Sequence, residues 1–120
     1  MIQVSEAKTL SDTIIGTGSA PYHKELAEEN FERQKRVFLA SQDIRRIGSA
    51  AMELAYTACG RQGGYFEIVL QPWDYAAAVV ILEEAGGRIT DFNGERPNPC
   101  KAGSIVASNG SVHEELRNLL

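Results

Sequence analysis

The chain has 120 residues, of which 43% are hydrophobic, and a formal charge of −4 from 16 acidic residues against 12 lysines and arginines. This length and composition fit a single compact domain over residues 1–120 and exclude a disordered chain. The basic residues are scattered, so the charge argues against nucleic acid or an anionic membrane as a partner.

Neither the apolar segments nor the cysteines indicate a membrane or an oxidising compartment. The longest apolar run, residues 75–82, is too short to span a bilayer, and the first residues lack a signal pattern. Cys59 and Cys100 are too few and too far apart for a zinc motif. We expect both thiols to be reduced, with Cys59 buried in a helix and Cys100 in a loop. These features predict a cytoplasmic protein.

Strand and helix patterns alternate along the first half of the chain. Short strands are predicted at residues 2–4 and 13–15, and the second is followed by the turn-rich stretch "GTGSAP". Residues 22–39 have a helical pattern in which Ala27, Phe31 and Phe38 form the apolar face. The stretch "DIRRIG" then predicts a strand, and "SAAMELAYTACG" predicts a helix that ends at Gly60.

The second half continues the alternation. "GYFEIVL" has the β-branched and aromatic content of a strand, and an alanine-rich helix is predicted at residues 73–85. The strand "GRITDF" leads into the turn "NGERPNP", and the strand "SIVAS" follows. Ser111 and Glu114 have the spacing of a capping box for a last helix to Leu120. The predicted fold class is therefore α/β, a mixed sheet layered with helices.

Two acidic residues are candidates for a functional site. Asp74 stands at the start of an apolar helix, where a carboxylate either caps the helix or ligates a bridging Mg²⁺ beside an anion site. Glu67 lies between apolar neighbours in a strand, so its side chain faces either solvent or a site. The pattern alone leaves both alternatives open for each residue.

Two segments of small residues are further candidates. At Gly48, Ser49 and Ala50 the chain passes from a strand to a helix, and small side chains there either let a ligand approach the backbone or serve helix packing. The "GTG" at residues 16–18 is half of a phosphate-loop pattern, and we interpret it as an ordinary turn.

The arginine pair and the two histidines are predicted to form neither a joint anion clamp nor a zinc site. Arg45 and Arg46 are adjacent in a predicted strand, so their side chains point to opposite faces and cannot form one anion clamp. His23 and His113 have no cysteine or acid at the spacing of a zinc ligand, and we assign them no role.

Taken together, these residues resemble a known family. "IRRIGSAAMELAYTACGRQGGYFEIVLQPWDYAAAVVILEEAGGRITDFNG" is similar to the C-terminal half of the inositol monophosphatase family, whose pattern there is W-D-x-A-A-G, a helix and E-A-G-G. The upstream G-[ST]-A and Y-[FY]-E occur in the family's order, and the likeness extends from "VSEAKTL" to "SNGSVHEEL". Ala78 stands where the family pattern usually has glycine, and we expect this change to have a small effect on activity.

The resemblance implies a Mg²⁺-dependent phosphomonoesterase that hydrolyses inositol phosphate or a similar small phosphorylated polyol or sugar. By this analogy Asp74 is the catalytic residue of the segment, because it ligates Mg²⁺ and touches the substrate. Gly48, Ser49 and Ala50 line the substrate pocket, and Glu67 binds a hydroxyl of the sugar or inositol. The implied fold is the C-terminal half of an α-β-α-β-α sandwich.

The chain lacks the acidic motif that the family carries in its N-terminal half. Family members are longer, and that half supplies a glutamate and D-P-[IL]-D-G-T, which provide most metal ligands; no such motif occurs here. We therefore expect a C-terminal half that is inactive alone and pairs with the missing N-terminal half. The alternatives are a non-catalytic folding or interaction module, or half of a related fructose-bisphosphate or nucleotide phosphatase.

Two of the predicted helices look apolar on all sides. Residues 50–58 and 75–82 carry more apolar surface than this chain alone can bury. Exposed apolar patches and unpaired edge strands both promote association. We therefore expect a homo-oligomer.

Overall fold

In the computed structural model, which describes residues 2–98 and 100–120, the strands form one mixed sheet. The strands are β1 Ile14–Thr17, β2 Asp43–Arg45, β3 Gly64–Leu70, β4 Arg88–Thr90 and β5 Gly103–Ser108, in the spatial order β2-β1-β3-β5-β4. Strand β1 runs parallel to β2 and β3, whereas β5 is antiparallel to β3 and β4. The carboxyl ends of β1, β2 and β3 therefore lie at the same edge of the sheet.

The α-helices of the described residues cover both faces of the sheet: α1 Ala27–Ala40, α2 Ala50–Ala58, α3 Pro72–Glu84 and α4 His113–Arg117. Because side chains alternate along a strand, neighbouring residues of β3 enter different cores. Tyr65 packs in a buried cluster with Leu54 of α2 and Leu82 of α3. Phe66 packs in a second cluster with residues of the other two helices, Val37 and Leu116. The mixed sheet layered with helices is the predicted fold class.

Local sequence determines where α2 and α3 begin and end. Ser49 is the N-cap of α2, and its hydroxyl accepts a hydrogen bond from the Met52 amide at 3.4 Å. Pro72 opens α3, where the missing proline N–H would have had no partner within the helix. Gly86 follows this helix with a φ of 94°, a left-handed conformation that favours glycine and ends the helix.

Residues 2–4 and Cys59 differ from the sequence prediction. Residues 2–4 form no strand, and the Val4 amide instead donates to the carbonyl of Ala85 at 3.2 Å. Cys59 is not inside a helix but is the C-cap residue of α2, and its side chain is exposed. The predicted turn at residues 93–99 includes Pro99, which lies outside the described residues.

The predicted capping box of the last helix is also wrong. The N-cap of α4 is Val112, not Ser111, and the Val112 amide donates to Asn109 Oδ1 at 3.1 Å. Glu114 instead accepts hydrogen bonds from Arg88 at 3.1 Å and from Arg117 at 2.9 Å. A tertiary contact from β4 thus competes for the carboxylate that the local pattern assigned to the helix start.

Helix α1 does not bury the apolar face that its sequence predicted. Phe31 is 53% exposed and Phe38 is 49% exposed, whereas Asn30, Gln34 and Val37 are buried. The two amide side chains donate hydrogen bonds to the carbonyl of Gly18, from Asn30 at 3.3 Å and from Gln34 at 3.0 Å. These bonds satisfy the amide N–H groups of the two side chains, although the buried Asn30 Oδ1 has no partner among the described residues, and they orient the helix against its apolar pattern.

Helices α2 and α3 together present an exposed apolar surface, as their composition predicted. We define the α2/α3 face by Met52, Trp73, Val80 and Ile81, all of which are exposed, with Trp73 80% exposed. Alanines of both helices line a hollow between them, next to Trp73 and Ile81. Although these helices are apolar, none in the described part of the chain has the length and composition that crossing a bilayer requires.

His113 joins β4, β5 and α4 at the far end of the sheet. Its side chain is completely buried, with Nε2 2.8 Å from Thr90 Oγ1 and Nδ1 2.8 Å from Ser108 Oγ. Burial lowers the pKa of His113 to about 4, and the nearby guanidinium of Arg88 acts in the same direction. The imidazole is therefore neutral in the folded chain and bridges two hydroxyl groups.

We expect His113 to make the chain less stable as pH falls. In the unfolded chain the imidazole gains a proton near pH 6.5, but in the folded chain only near pH 4, so its contribution is complete above pH 6.5 and declines below it. Between pH 7.5 and 4 the loss is about 3 kcal/mol. The free energies of unfolding of the wild type and of His113→Gln, measured in urea across this pH range, give this loss as the change in their difference. Buried carboxyl groups contribute equally to both proteins and therefore cancel. Parallel pH profiles for the two proteins would contradict the prediction.

Candidate functional site

A cavity of about 450 Å³ lies at the sheet edge where β1, β2 and β3 end. Residues 17–23 comprise the last residue of β1 and the loop after it, residues 46–50 follow β2, and residues 67–74 lie at the end of β3 and the start of α3. Each of these segments contributes lining residues. In open α/β sheets, ligands bind at the carboxyl ends of the strands. The cavity brings together the five residues that the sequence singled out: Gly48, Ser49, Ala50, Glu67 and Asp74.

Asp74 lies in the first turn of α3, not at its N-cap. Gln71 is the N-cap, and its amide donates to Asp74 Oδ2 at 3.2 Å. This is one of the two hydrogen bonds of a capping box, so Asp74 stabilises the helix start and also lines the cavity. The two interpretations of Asp74 are therefore compatible, because a carboxylate has more acceptor sites than the cap uses.

Glu67 faces the cavity and not solvent. Its side chain is half-buried, and its buried Oε2 has no hydrogen-bond partner among the described residues. Burial raises the pKa of Glu67 to about 7; the hydroxyl of Tyr65 opposes this shift. The negative charges of Glu53 and Asp74 raise the pKa of Glu67 further. A buried acceptor without a partner is the feature that a ligand hydroxyl would satisfy.

The segment after β2 forms one wall of the cavity. Gly48 has a φ of 93°, so this position needs glycine for its conformation, although nothing lies within 4 Å of where a Cβ would stand. Arg46 lines the cavity together with residues 48–50. Arg45 is not among the lining residues, in keeping with the opposite directions expected for the two arginines.

The "GTG" segment is not the turn that we expected. Gly16 and Thr17 belong to β1, and Gly18 follows directly and lines the cavity. A Cβ at Gly16 would overlap the carboxylate of Glu53, and a Cβ at Gly18 would overlap that of Glu67. The two glycines leave space for two carboxylates on one face of the strand, a requirement that turn statistics do not reveal.

Glu53 and His23 also line the cavity, although neither was predicted to belong to a site. Glu53 lies in the apolar stretch "AAMELAY", and a lone acid there is a signal that could have been noticed. His23 was assigned no role, but the loop after β1 carries it to the cavity, where its Nδ1 is 3.4 Å from Glu25 Oε1. No pattern in the sequence indicates this placement of His23.

The described residues supply part of a metal site at most. No group of three or more His, Cys, Asp or Glu residues within the described part of the chain is arranged to hold a metal ion. Asp74 nevertheless fits a single Mg²⁺ ligand, because it is a hard oxygen donor at a cavity wall and Mg²⁺ keeps several waters when few protein ligands bind it. Further ligands would have to come from another segment.

Comparison with known proteins agrees with the resemblance seen in the sequence. The model of the inositol monophosphatase family matches residues 1–120. The chain belongs to this family. The solved inositol monophosphatase of Anabaena superposes with a TM-score of 0.90 at 39% identity, over 98% of this chain and 46% of that one. This superposition confirms the predicted fold class.

Two curated relatives show how much of a family member the chain represents. Nus factor SuhB of Salmonella typhimurium is 44% identical over 108 residues, which are 90% of this chain and 40% of the relative. Inositol-1-monophosphatase of Synechocystis is 38% identical over 119 residues, which are 99% of this chain and 41% of the relative. The chain thus spans less than half the length of these phosphatase-family relatives.

We expect Glu67 to titrate near pH 7 in the chain without added metal, because burial raises its pKa to about 7. Its carboxyl ¹³C chemical shift, followed by NMR from pH 4 to 9, measures the midpoint. Asp74→Asn should lower that midpoint, since it removes a nearby negative charge. Glu84→Gln, at the exposed end of the same helix, is the matched control and should leave it unchanged. A midpoint near 4.5 would show that Glu67 faces water.

Proposed function

We propose that this chain is the substrate-binding part of a Mg²⁺-dependent phosphomonoesterase that acts on a small phosphorylated polyol or sugar. The observation that carries the proposal is the convergence of Asp74, Glu67 and residues 48–50 on one cavity at the carboxyl ends of the strands. Membership of the inositol monophosphatase family supports the reaction class.

Asp74 provides the charge of the proposed site. The amide of Gln71 holds one carboxylate oxygen, which orients the side chain and leaves the other oxygen for a cation or a substrate group. The first turn of α3 also favours anions near it, because its free amides and the helix dipole are positive there. A Mg²⁺ ion bound at Asp74 would stabilise negative charge on the phosphate and lower the pKa of a bound water.

Glu67 and residues 48–50 would bind the part of the substrate that does not react. The unpartnered Oε2 of Glu67 can accept a hydrogen bond from a polyol hydroxyl, which removes the cost of leaving a buried acceptor unsatisfied. The small side chains of residues 48–50 allow a ring to approach the backbone closely. Together these groups orient a hydroxylated ring beside Asp74.

The site would be completed by a segment equivalent to the part of its relatives that this chain does not match. The described residues offer Asp74 and no complete metal site, and the relatives extend well beyond the matched region. The α2/α3 face is apolar and exposed directly beside Asp74, so it suits a permanent partner surface. We propose that this partner is the N-terminal half of the family fold.

Fusing the unmatched segment of the Anabaena inositol monophosphatase to this chain tests the proposal. The fused protein should hydrolyse inositol 1-phosphate with Mg²⁺, and the 120-residue chain alone should be no faster than buffer. Asp74→Asn in the fusion should lower kcat at least about 100-fold, because an amide caps the helix but lacks the charge that Mg²⁺ needs. Its melting temperature should be unchanged, and Glu84→Gln should affect neither quantity.

The outcomes of this experiment separate the interpretations of Asp74. Activity that survives Asp74→Asn, with a lower melting temperature, would mean that Asp74 only caps α3. Turnover by the 120-residue chain alone, abolished by EDTA, would show that no second segment is needed. An inactive fusion that is folded would favour the alternative function, a non-catalytic interaction module. The exposed α2/α3 face and the name Nus factor, which several relatives carry, support that alternative.

We expect the 120-residue chain to self-associate through the α2/α3 face, because a contiguous apolar surface is seldom left in water. Sedimentation velocity over a wide concentration range should show dimers or larger species. Ile81→Lys should shift the chain towards monomer, and Phe38→Lys, a similarly exposed apolar position on α1, should not. A monomer at high concentration that binds no hydrophobic dye would contradict the prediction.

A further inference from the structure

Glu53 of α2 is a buried carboxylate at the cavity that the proposed function leaves without a role. The residue is 1% exposed, and both carboxylate oxygens are engaged within the chain. Oε2 accepts a hydrogen bond from the Ile47 amide at 3.2 Å, and Oε1 accepts one from Gln62 Nε2 at 3.1 Å. With both oxygens engaged, Glu53 is not itself a candidate to bind substrate.

Glu53 holds the segment between β2 and α2 at two points. Its carboxylate binds the Ile47 amide, and its own amide donates to the carbonyl of Ser49 at 3.0 Å. Between these contacts lies Gly48, which has open space where a side chain would stand. The hydrogen bond from the Ile47 amide to Glu53 therefore restrains the backbone directly before Gly48, and the bond from the Glu53 amide restrains Ser49 directly after it.

The surroundings of Glu53 are built to keep its carboxylate in place. Gln62 is buried, and its Nε2 lies 3.1–3.4 Å from Glu53 Oε1, Glu53 O, Thr57 Oγ1 and Gly64 O. Gly16 leaves the space that the carboxylate occupies. Burying a carboxylate is unfavourable, and a leucine would fill the same volume, so core packing alone does not explain an acid here.

We propose that Glu53 is a positioning residue that holds the backbone of Ile47 and Gly48, and with it the cavity wall of residues 48–50, in the geometry that receives substrate. The effect on the backbone follows from the hydrogen bonds of the chain itself. The consequence for substrate rests on the proposed function.

Hydrogen exchange of the 120-residue chain, measured by NMR, tests the backbone part. In Glu53→Gln the side chain has the same size, but one carboxylate oxygen becomes an NH2 group and the remaining neutral oxygen is a weaker acceptor, so the hydrogen bond from the Ile47 amide is weakened or lost in either orientation. We expect the Ile47 amide to exchange at least about tenfold faster. The Gly48 and Ser49 resonances should shift, while the protected amides of β3 and β5 remain unchanged.

Thr57→Val is the matched control for a purely structural role. Thr57 is buried one turn further along α2 and belongs to the same hydrogen-bond network, but its hydroxyl bonds to Glu53 O and to Gln62 Nε2 and not to the segment after β2. This variant should leave Ile47 exchange within about twofold of the wild type. The proposal is overturned if both variants accelerate it equally, if Glu53→Gln leaves it unchanged, or if Glu53→Gln unfolds β3.

The substrate part is tested in the fused protein with inositol 1-phosphate. Glu53→Gln should raise KM about tenfold and keep kcat within about twofold, because it disturbs a binding wall and not the reacting groups. An unchanged KM would overturn this part. If the unsubstituted fusion is inactive, the proposed function and the substrate part both fail, while the exchange measurement still decides whether Glu53 positions the backbone.

Discussion

Two carboxyl groups, those of the buried Glu53 and the half-buried Glu67, impose the main constraint on the end of the sheet that carries the cavity. Glu53 and Glu67 both approach β1 from the side of α2 and α3, and both come so close that only glycine fits beneath them, at Gly16 and Gly18. Burial raises the pKa of each carboxyl group, which shows that the protein environment is unfavourable to their charge. The surrounding structure has to compensate for that burial.

The two carboxyl groups are compensated differently. Glu53 is satisfied within the chain by the Ile47 amide and Gln62, so it contributes to the shape of the site. Glu67 keeps a buried oxygen without a partner among the described residues, so it remains available to a ligand. A carboxylate whose hydrogen bonds are satisfied within the chain supports the site, whereas a carboxylate with an oxygen left without a partner can bind a ligand. Burial alone does not show this difference.

The fold places these polar groups away from the parts that stabilise the sheet. Apolar clusters fill the space between the sheet and its helices, and His113 closes the far end as a neutral bridge between two hydroxyl groups. At the cavity, helix α1 contributes through Gln34 and Asn30, which hold the carbonyl of Gly18. The same helix therefore packs in the core and also holds Gly18, against which the Glu67 carboxylate lies.

The sequence by itself determined the α/β class, the order of most elements and the residues 48–50, Glu67 and Asp74 that meet at the cavity, because hydrophobic period, turn residues and the family pattern are local properties. Only the tertiary structure decided the orientation of α1, the strand position of Gly16 and the placement of Glu53 and His23. Each of these depends on residues that are distant in the sequence. The amides of α1 bind the Gly18 carbonyl, the Glu53 carboxylate lies against Gly16, and the loop after β1 brings His23 to the cavity. Local propensity is a weaker effect than satisfying a buried polar group, so where the two conflict the tertiary contact prevails.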